Sequence, residues 1–149
     1  MARECIHRGH TVRIFALKWA GPLPTDLDVT IIPIKALFNH NKYRKFSEAL
    51  AIELKRSEID CVVGFNKMPG LDVYYAADSC YEEKALSQRG WLYRYLSRYK
   101  HFSKYESAVF GVGSKTEILS ISDVQKPFFV QHYGTPENRF HTLPPGIAR

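Results

Sequence analysis

The chain has 149 residues, 45% hydrophobic and 24% charged, a balance that excludes disorder and suffices for one domain with a real core. Its net charge of +6 favours a negatively charged partner: phosphate, nucleic acid or anionic lipid. Cys5, Cys61 and Cys80 form no Cys-x-x-Cys pair, which argues against a disulfide framework or zinc site and fits a reducing compartment; no apolar run approaches the roughly 18 residues that span a bilayer, and Met1-Ala2-Arg3-Glu4 is no signal peptide.

In chain order, residues 1–7 read as the tail of a helix, closed at Arg8-Gly9-His10 and too short to stand alone. A strand is expected at 11–17 and a second at 28–34, bounded by Pro22, Pro24 and Pro33. Residues 43–57 predict a helix, with Phe46, Leu50 and Leu54 repeating on one face. Residues 59–65 have the composition of a fully buried strand, which ends in Gly64-Phe65-Asn66-Lys67. A Pro69-Gly70 turn follows, then a short strand at 73–77 that delivers Asp78. Residues 82–110 predict two helices, 115–121 a strand, 123–133 a helix capped by Asp123, and 140–143 a last strand. Strands alternating with helices predict the α/β class, a Rossmann-like parallel sheet with helices on both faces, as a single domain over 1–149. There is no internal repeat and no low-complexity tract. A chain that opens at the end of a helix and stops at Leu143-Pro144-Pro145-Gly146-Ile147 reads as a piece of something larger.

Several motifs carry a family resemblance. Arg8-Gly9-His10-Thr11-Val12-Arg13 resembles a strand opening found widely in retaining GT-B glycosyltransferases. The run from Val62 to Asp78 resembles the signature of the glucosyltransferases that build the lipopolysaccharide inner core of Gram-negative bacteria. Tyr81, Glu83-Lys84, Leu92-Tyr93-Arg94 and Ser97-Arg98-Tyr99 fit the next helix of that family, and Leu143-Pro144-Pro145-Gly146-Ile147 fits the end of its amino-terminal half. The first and last motifs are shared by many GT-B enzymes; the block from Gly64 to Asp78 is the specific one. The family's first strand with its Gly-Gly loop has no counterpart here, nor has its carboxyl-terminal half with two glutamates seven residues apart. The resemblance therefore implies the acceptor-side, amino-terminal domain of a family 4 GT-B enzyme, truncated and inactive alone. It holds no cofactor of its own, and UDP-glucose is the donor of the complete enzyme.

Ligands of α/β sheets bind beyond the carboxyl ends of the strands. Asp78 follows such an end. A carboxylate there can stabilise an oxocarbenium-like transition state or take the acceptor proton. It can equally cap the helix that follows, and the two readings weigh the same. Asn66 and Lys67 are candidates to bind the acceptor's phosphate or hydroxyls, against a plain polar turn before Pro69-Gly70. His40 and Asn41, in a predicted loop, are further acceptor candidates, against ordinary solvated residues. No two of the six histidines have metal-ligand spacing on one helix face, so no metal site is expected.

Between Lys84 and Tyr105 there are six basic residues and no acid. On a helical wheel Trp91, Leu92, Tyr95, Leu96, Tyr99 and Phe102 fall within roughly 140°. Arg89, Trp91, Arg94, Tyr95, Arg98, Lys100 and Lys104 suit an anionic membrane surface; the alternative is a helix that packs its apolar face on the sheet. The resemblance favours the membrane, since the family's acceptor is a lipid of the inner membrane, which implies a cytoplasmic, peripheral location. Two functions remain open. One is the acceptor half of a glucosyltransferase acting on the inner core. The other is a basic, non-enzymatic module for RNA or anionic surfaces, with nucleic acid the less expected partner.

Overall fold

The computed structural model describes residues 1–143, so the Pro-rich stretch after Leu143 lies outside the described residues. The chain divides into two compact units, Met1–Ser57 and Glu58–Arg149. In the first, α1 (Ala2–His7) precedes β1 (Arg13–Ala16), which pairs in parallel with β2 (Asp28–Ile31); α2 (Asn39–Arg56) completes the unit. Phe46 and Leu50 of α2 are buried and Leu54 is half-buried, as the four-residue repeat predicts. His40 and Asn41 lie in the first turn of α2 rather than in a loop. β2 is shorter than expected, ending before the Pro33 that cannot donate to a ladder.

The second unit is a four-stranded parallel sheet in the order β3 (Val63–Gly64), β4 (Val73–Ala76), β5 (Glu117–Ser120), β6 (Phe140–Thr142). Its helices are α3 (Tyr81–Gln88), α4 (Ser97–Phe110) and α5 (Lys126–Tyr133). The expected buried strand over 59–65 is corrected to two residues. β3 is an edge strand, and Val63 is 42% exposed. Asp72 shapes this edge: its carboxylate accepts from Val62 N at 2.8 Å, while its own N–H donates to Val62 O at 3.0 Å. Gly64 lets the Leu71 side chain close over it: a Cβ there would meet Leu71 Cδ1 at 2.4 Å, and the buried leucine would have to shift.

The core gathers Leu71, Tyr74, Ala76, Cys80, Val109, Phe110, Ile118 and Phe129. Phe110 and Phe129 stack with centroids 3.6 Å apart, tying α4 to α5, and burial of each ring contributes about 1.5–3 kcal/mol. Arg139 is buried and donates to the carbonyls of Gly111 (3.1 Å) and Val109 at the end of α4 and to that of Thr116 (2.9 Å) just before β5, so it ties the helix end to the sheet. Burial lowers its pKa, against the charge of Glu117, which raises it. Gly134 closes α5 in the left-handed region, φ 62°, with its N–H on Val130 O. The cap expected from Asp123 is made by Ser122, whose Oγ accepts from Val124 N at 3.3 Å; Asp123 instead accepts from Thr142 Oγ1 at 2.6 Å.

Candidate functional site

All four strands of the second unit run in one direction, so their carboxyl ends share one edge. In register, Ala76 pairs with Ser120 and Ser120 with Thr142. A cleft of about 110 Å³ opens just beyond these pairs, lined among others by Asp78, Ser120, Gln125, Lys126, Phe129 and Phe140. Asp78 is exposed at its rim. It does not cap α3: Cys80 occupies the cap position, without a side-chain cap bond.

A residue the sequence reading missed fills that duty. Glu106 of α4 is fully buried, and its carboxylate accepts from Tyr81 N at 2.8 Å and Glu82 N at 2.9 Å, the first amides of α3. It also accepts from Tyr133 Oη at 2.7 Å and Lys67 Nζ at 2.5 Å. A carboxylate brought from 25 residues away thus does what a local Asp would do. One signal was legible: Glu106 sits on the same helical face as Phe102, Tyr105, Val109 and Phe110. Burial pushes the Tyr133 hydroxyl far above its usual range, helped by the negative charge of Glu106. Burial likewise pushes the Cys80 thiol up to about 12, with Glu106 adding to it.

Lys67 is therefore committed inward. Its side chain is only 13% exposed, and Nζ also donates to Ser79 O at 2.8 Å. Asn66, its neighbour, is exposed. The structure brings Lys67 and Asp78 into the unit Glu58–Arg149 with Asn66; His40 and Asn41 belong to the other unit. Below Asp78, the Tyr74 hydroxyl is buried with no hydrogen-bond partner among the described residues. Burial raises its pKa well above the phenol range, with the charges of Asp78 and Glu106 acting the same way. Among the described residues no group of three His, Cys, Asp or Glu side chains comes together to hold a metal ion.

The basic, aromatic segment is not one helix. α3 ends at Gln88, a 3-10 turn spans Trp91–Tyr95, and α4 starts at Ser97. The 100° wheel fails across this break. Trp91, Leu92, Tyr95 and Leu96 are 72%, 61%, 68% and 54% exposed, so these four do not pack on the sheet. The segment is held by Glu82, which accepts from Tyr99 Oη (2.6 Å), Ser103 Oγ (3.1 Å) and Arg94 Nη2 (3.2 Å). Arg89 lies 5.0 Å over the Tyr93 ring and Arg98 5.9 Å over Phe102; Lys100 and Lys104 are exposed.

No family model matches the chain. Over 140 residues, 94% of its length, it is 44% identical to the lipopolysaccharide glucosyltransferase WaaG of Escherichia coli (strain K12). The crystal structure of WaaG, a glycosyltransferase involved in lipopolysaccharide biosynthesis, superposes on 99% of the chain with TM-score 0.94 at 42% identity. The chain is WaaG-like in sequence and in fold. It spans 37% of the curated WaaG sequence and 40% of the solved WaaG chain. The resemblance carried by the block from Gly64 to Asp78 is thus shown, and the expected α/β fold of parallel strands and helices is the one that WaaG has over the matched part.

Proposed function

We propose that these residues form the acceptor-side part of a retaining, family 4 GT-B glycosyltransferase that moves glucose from UDP-glucose to a heptose of the lipopolysaccharide inner core. The observation that carries this reading is the 44% identity to a lipopolysaccharide glucosyltransferase across 94% of the chain. Asp78 supports it. Exposed beyond β4 and free of cap duty, its carboxylate is available to stabilise developing positive charge or to accept the acceptor's proton. Asn66, exposed past β3, offers both amide donors and an acceptor to sugar hydroxyls. Lys67 acts as a positioning residue through Glu106, and the donor is held by parts of the complete enzyme that this chain does not match. The exposed Trp91, Leu92, Tyr95 and Leu96 among cations support docking on an anionic membrane surface, in keeping with a peripheral enzyme that meets a lipid-borne acceptor at the inner membrane. Among the described residues no helix is long and apolar enough to cross it.

The test joins this chain to the part of WaaG that it does not match and supplies UDP-glucose with a heptose-ended lipopolysaccharide acceptor. The joined protein should transfer glucose with retention at the anomeric carbon, read by NMR of the product; the 149 residues alone should transfer none. A folded joined protein without transfer, or an inverted product, overturns the reading.

A further inference from the structure

We infer that the cleft beyond β4 and β5 is a subsite for one neutral sugar ring, in which Ser120, Gln125 and Lys126 bind ring hydroxyls beside Asp78. The inference rests on the transferase reading and names the cleft and the residues that hold the ring, which that reading leaves open.

Ser120 points to it first. The residue is 5% exposed, and its Oγ has no hydrogen-bond partner among the described residues. A hydroxyl buried without a partner is destabilising by about 1–3 kcal/mol, and a ligand hydroxyl in the cleft that Ser120 lines would complete it. Ser122 nearby is by contrast satisfied, accepting from Val124 N. The cavity that Ser120 lines, about 110 Å³, has room for a few waters or for the hydroxylated edge of one ring.

The polar groups at this edge differ in kind. Asp78 only accepts and Lys126 only donates, whereas Ser120 does both. Gln125 Oε1 already accepts from Cys80 N at 3.0 Å, which leaves the Gln125 NH₂ to donate. A sugar hydroxyl is donor and acceptor at once and matches such a set. A free anion matches it poorly: Asp78 repels it, and the Lys126 ammonium is already paired with Glu137 at 2.9 Å. Phe129 and Phe140 give the cleft an apolar side for the C–H groups of the ring.

Saturation-transfer NMR of the full 149-residue chain tests this with methyl β-D-glucopyranoside, methyl α-D-mannopyranoside and inorganic phosphate as probes. At least one glycoside should bind with a Kd near the millimolar range, as expected for a single small ring. Ser120→Ala should weaken it about 5-fold or more, and Lys126→Met by a similar factor. Ser87→Ala, on α3 away from the cleft, should not change it. Absence of transfer to either glycoside overturns the inference, as does binding that both cleft variants leave intact. Phosphate that binds more tightly than both glycosides also overturns it, in favour of an anion site. Loss of glucosyl transfer in the joined enzyme would leave glycoside binding standing, so failure of the subsite and failure of the transferase reading are separable.

Discussion

Glu106 and Asp78 divide two duties that the sequence offers to Asp78 alone. Glu106 is fully buried and faces five donors: Lys67 Nζ, Tyr81 N, Glu82 N, Tyr133 Oη and, at 3.7 Å, Cys80 Sγ. Glu106→Gln turns part of this acceptor into a donor and leaves the Lys67 ammonium without its countercharge. Breaking a buried pair in this way typically costs about 3–5 kcal/mol. Urea unfolding should show a loss of that size, and Lys67→Met added to Glu106→Gln should recover part of it. A loss under about 1 kcal/mol for Glu106→Gln would mean that the network is not what holds α3. Asp78 carries no such duty. Asp78→Asn should leave stability within about 0.5 kcal/mol, as for other exposed changes. In the joined enzyme the same change should lower kcat by roughly 100-fold, the scale of a positioned charge or base. Normal kcat with lost stability would reverse the assignment. The sequence showed Asp78 at a strand end and Glu106 on the apolar face of its helix, but not the capping role of Glu106, because a cap supplied from another helix leaves no local spacing to read.

At the scale of elements, order and type were legible and extents were not. The alternation of strands and helices follows from the apolar runs at 73–77 and 115–121 and from the Phe46, Leu50 repeat. The edge position of β3 is set by strand order, which composition does not encode. The break between α3 and α4 is marked in the sequence only by Gly90, which is a poor helix former but sits at an ordinary φ of −66°; Leu96 then enters α4 from an extended conformation, φ −72°, ψ 140°. The break matters for the membrane proposal, since it exposes Trp91, Leu92, Tyr95 and Leu96 together where a continuous helix would have laid them along the sheet. Trp and Tyr favour the headgroup level, and the cations around them favour anionic lipid. Vesicles containing phosphatidylglycerol should bind the chain and neutral vesicles should not. Binding should fade toward 1 M salt, where the Debye length is about 3 Å. Replacing Arg94, Arg98, Lys100 and Lys104 with Gln should remove most of it with the circular dichroism unchanged. Equal binding to neutral vesicles would refute the electrostatic account, and tighter binding to RNA at physiological salt would support the basic-module reading instead.

At the scale of the molecule, the α/β class was legible because each apolar run is short and separated by a helical one. The site's inner groups were not, because the burial of Ser120, Tyr74 and Glu106 is set by register and packing. Those buried groups set how the folded chain responds to alkali. Tyr74, Tyr133 and Cys80 all hold their protons more tightly when folded, through burial first and then through neighbouring carboxylates. The unfolded chain releases them near pH 10 for tyrosine and near 8.5 for cysteine. Below those values the folded and unfolded chains bind the same protons, and the contribution to stability is complete. Above them the unfolded chain binds fewer, so stability falls as pH rises, by up to about 1.4 kcal/mol per pH unit for each group. Three groups together remove about 4 kcal/mol per unit once pH passes 10. That exhausts a typical total of about 5–15 kcal/mol within a few units, so a cooperative alkaline transition is expected above pH 10. Tyr74→Phe isolates one contribution. It removes a buried hydroxyl that has no partner, so stability at pH 7 should hold or rise by about 1 kcal/mol. It also removes one of the three titrating groups, so the alkaline midpoint followed by circular dichroism should move upward. A midpoint that stays or falls would mean that Tyr74 is satisfied in solution and that its proton does not couple to folding.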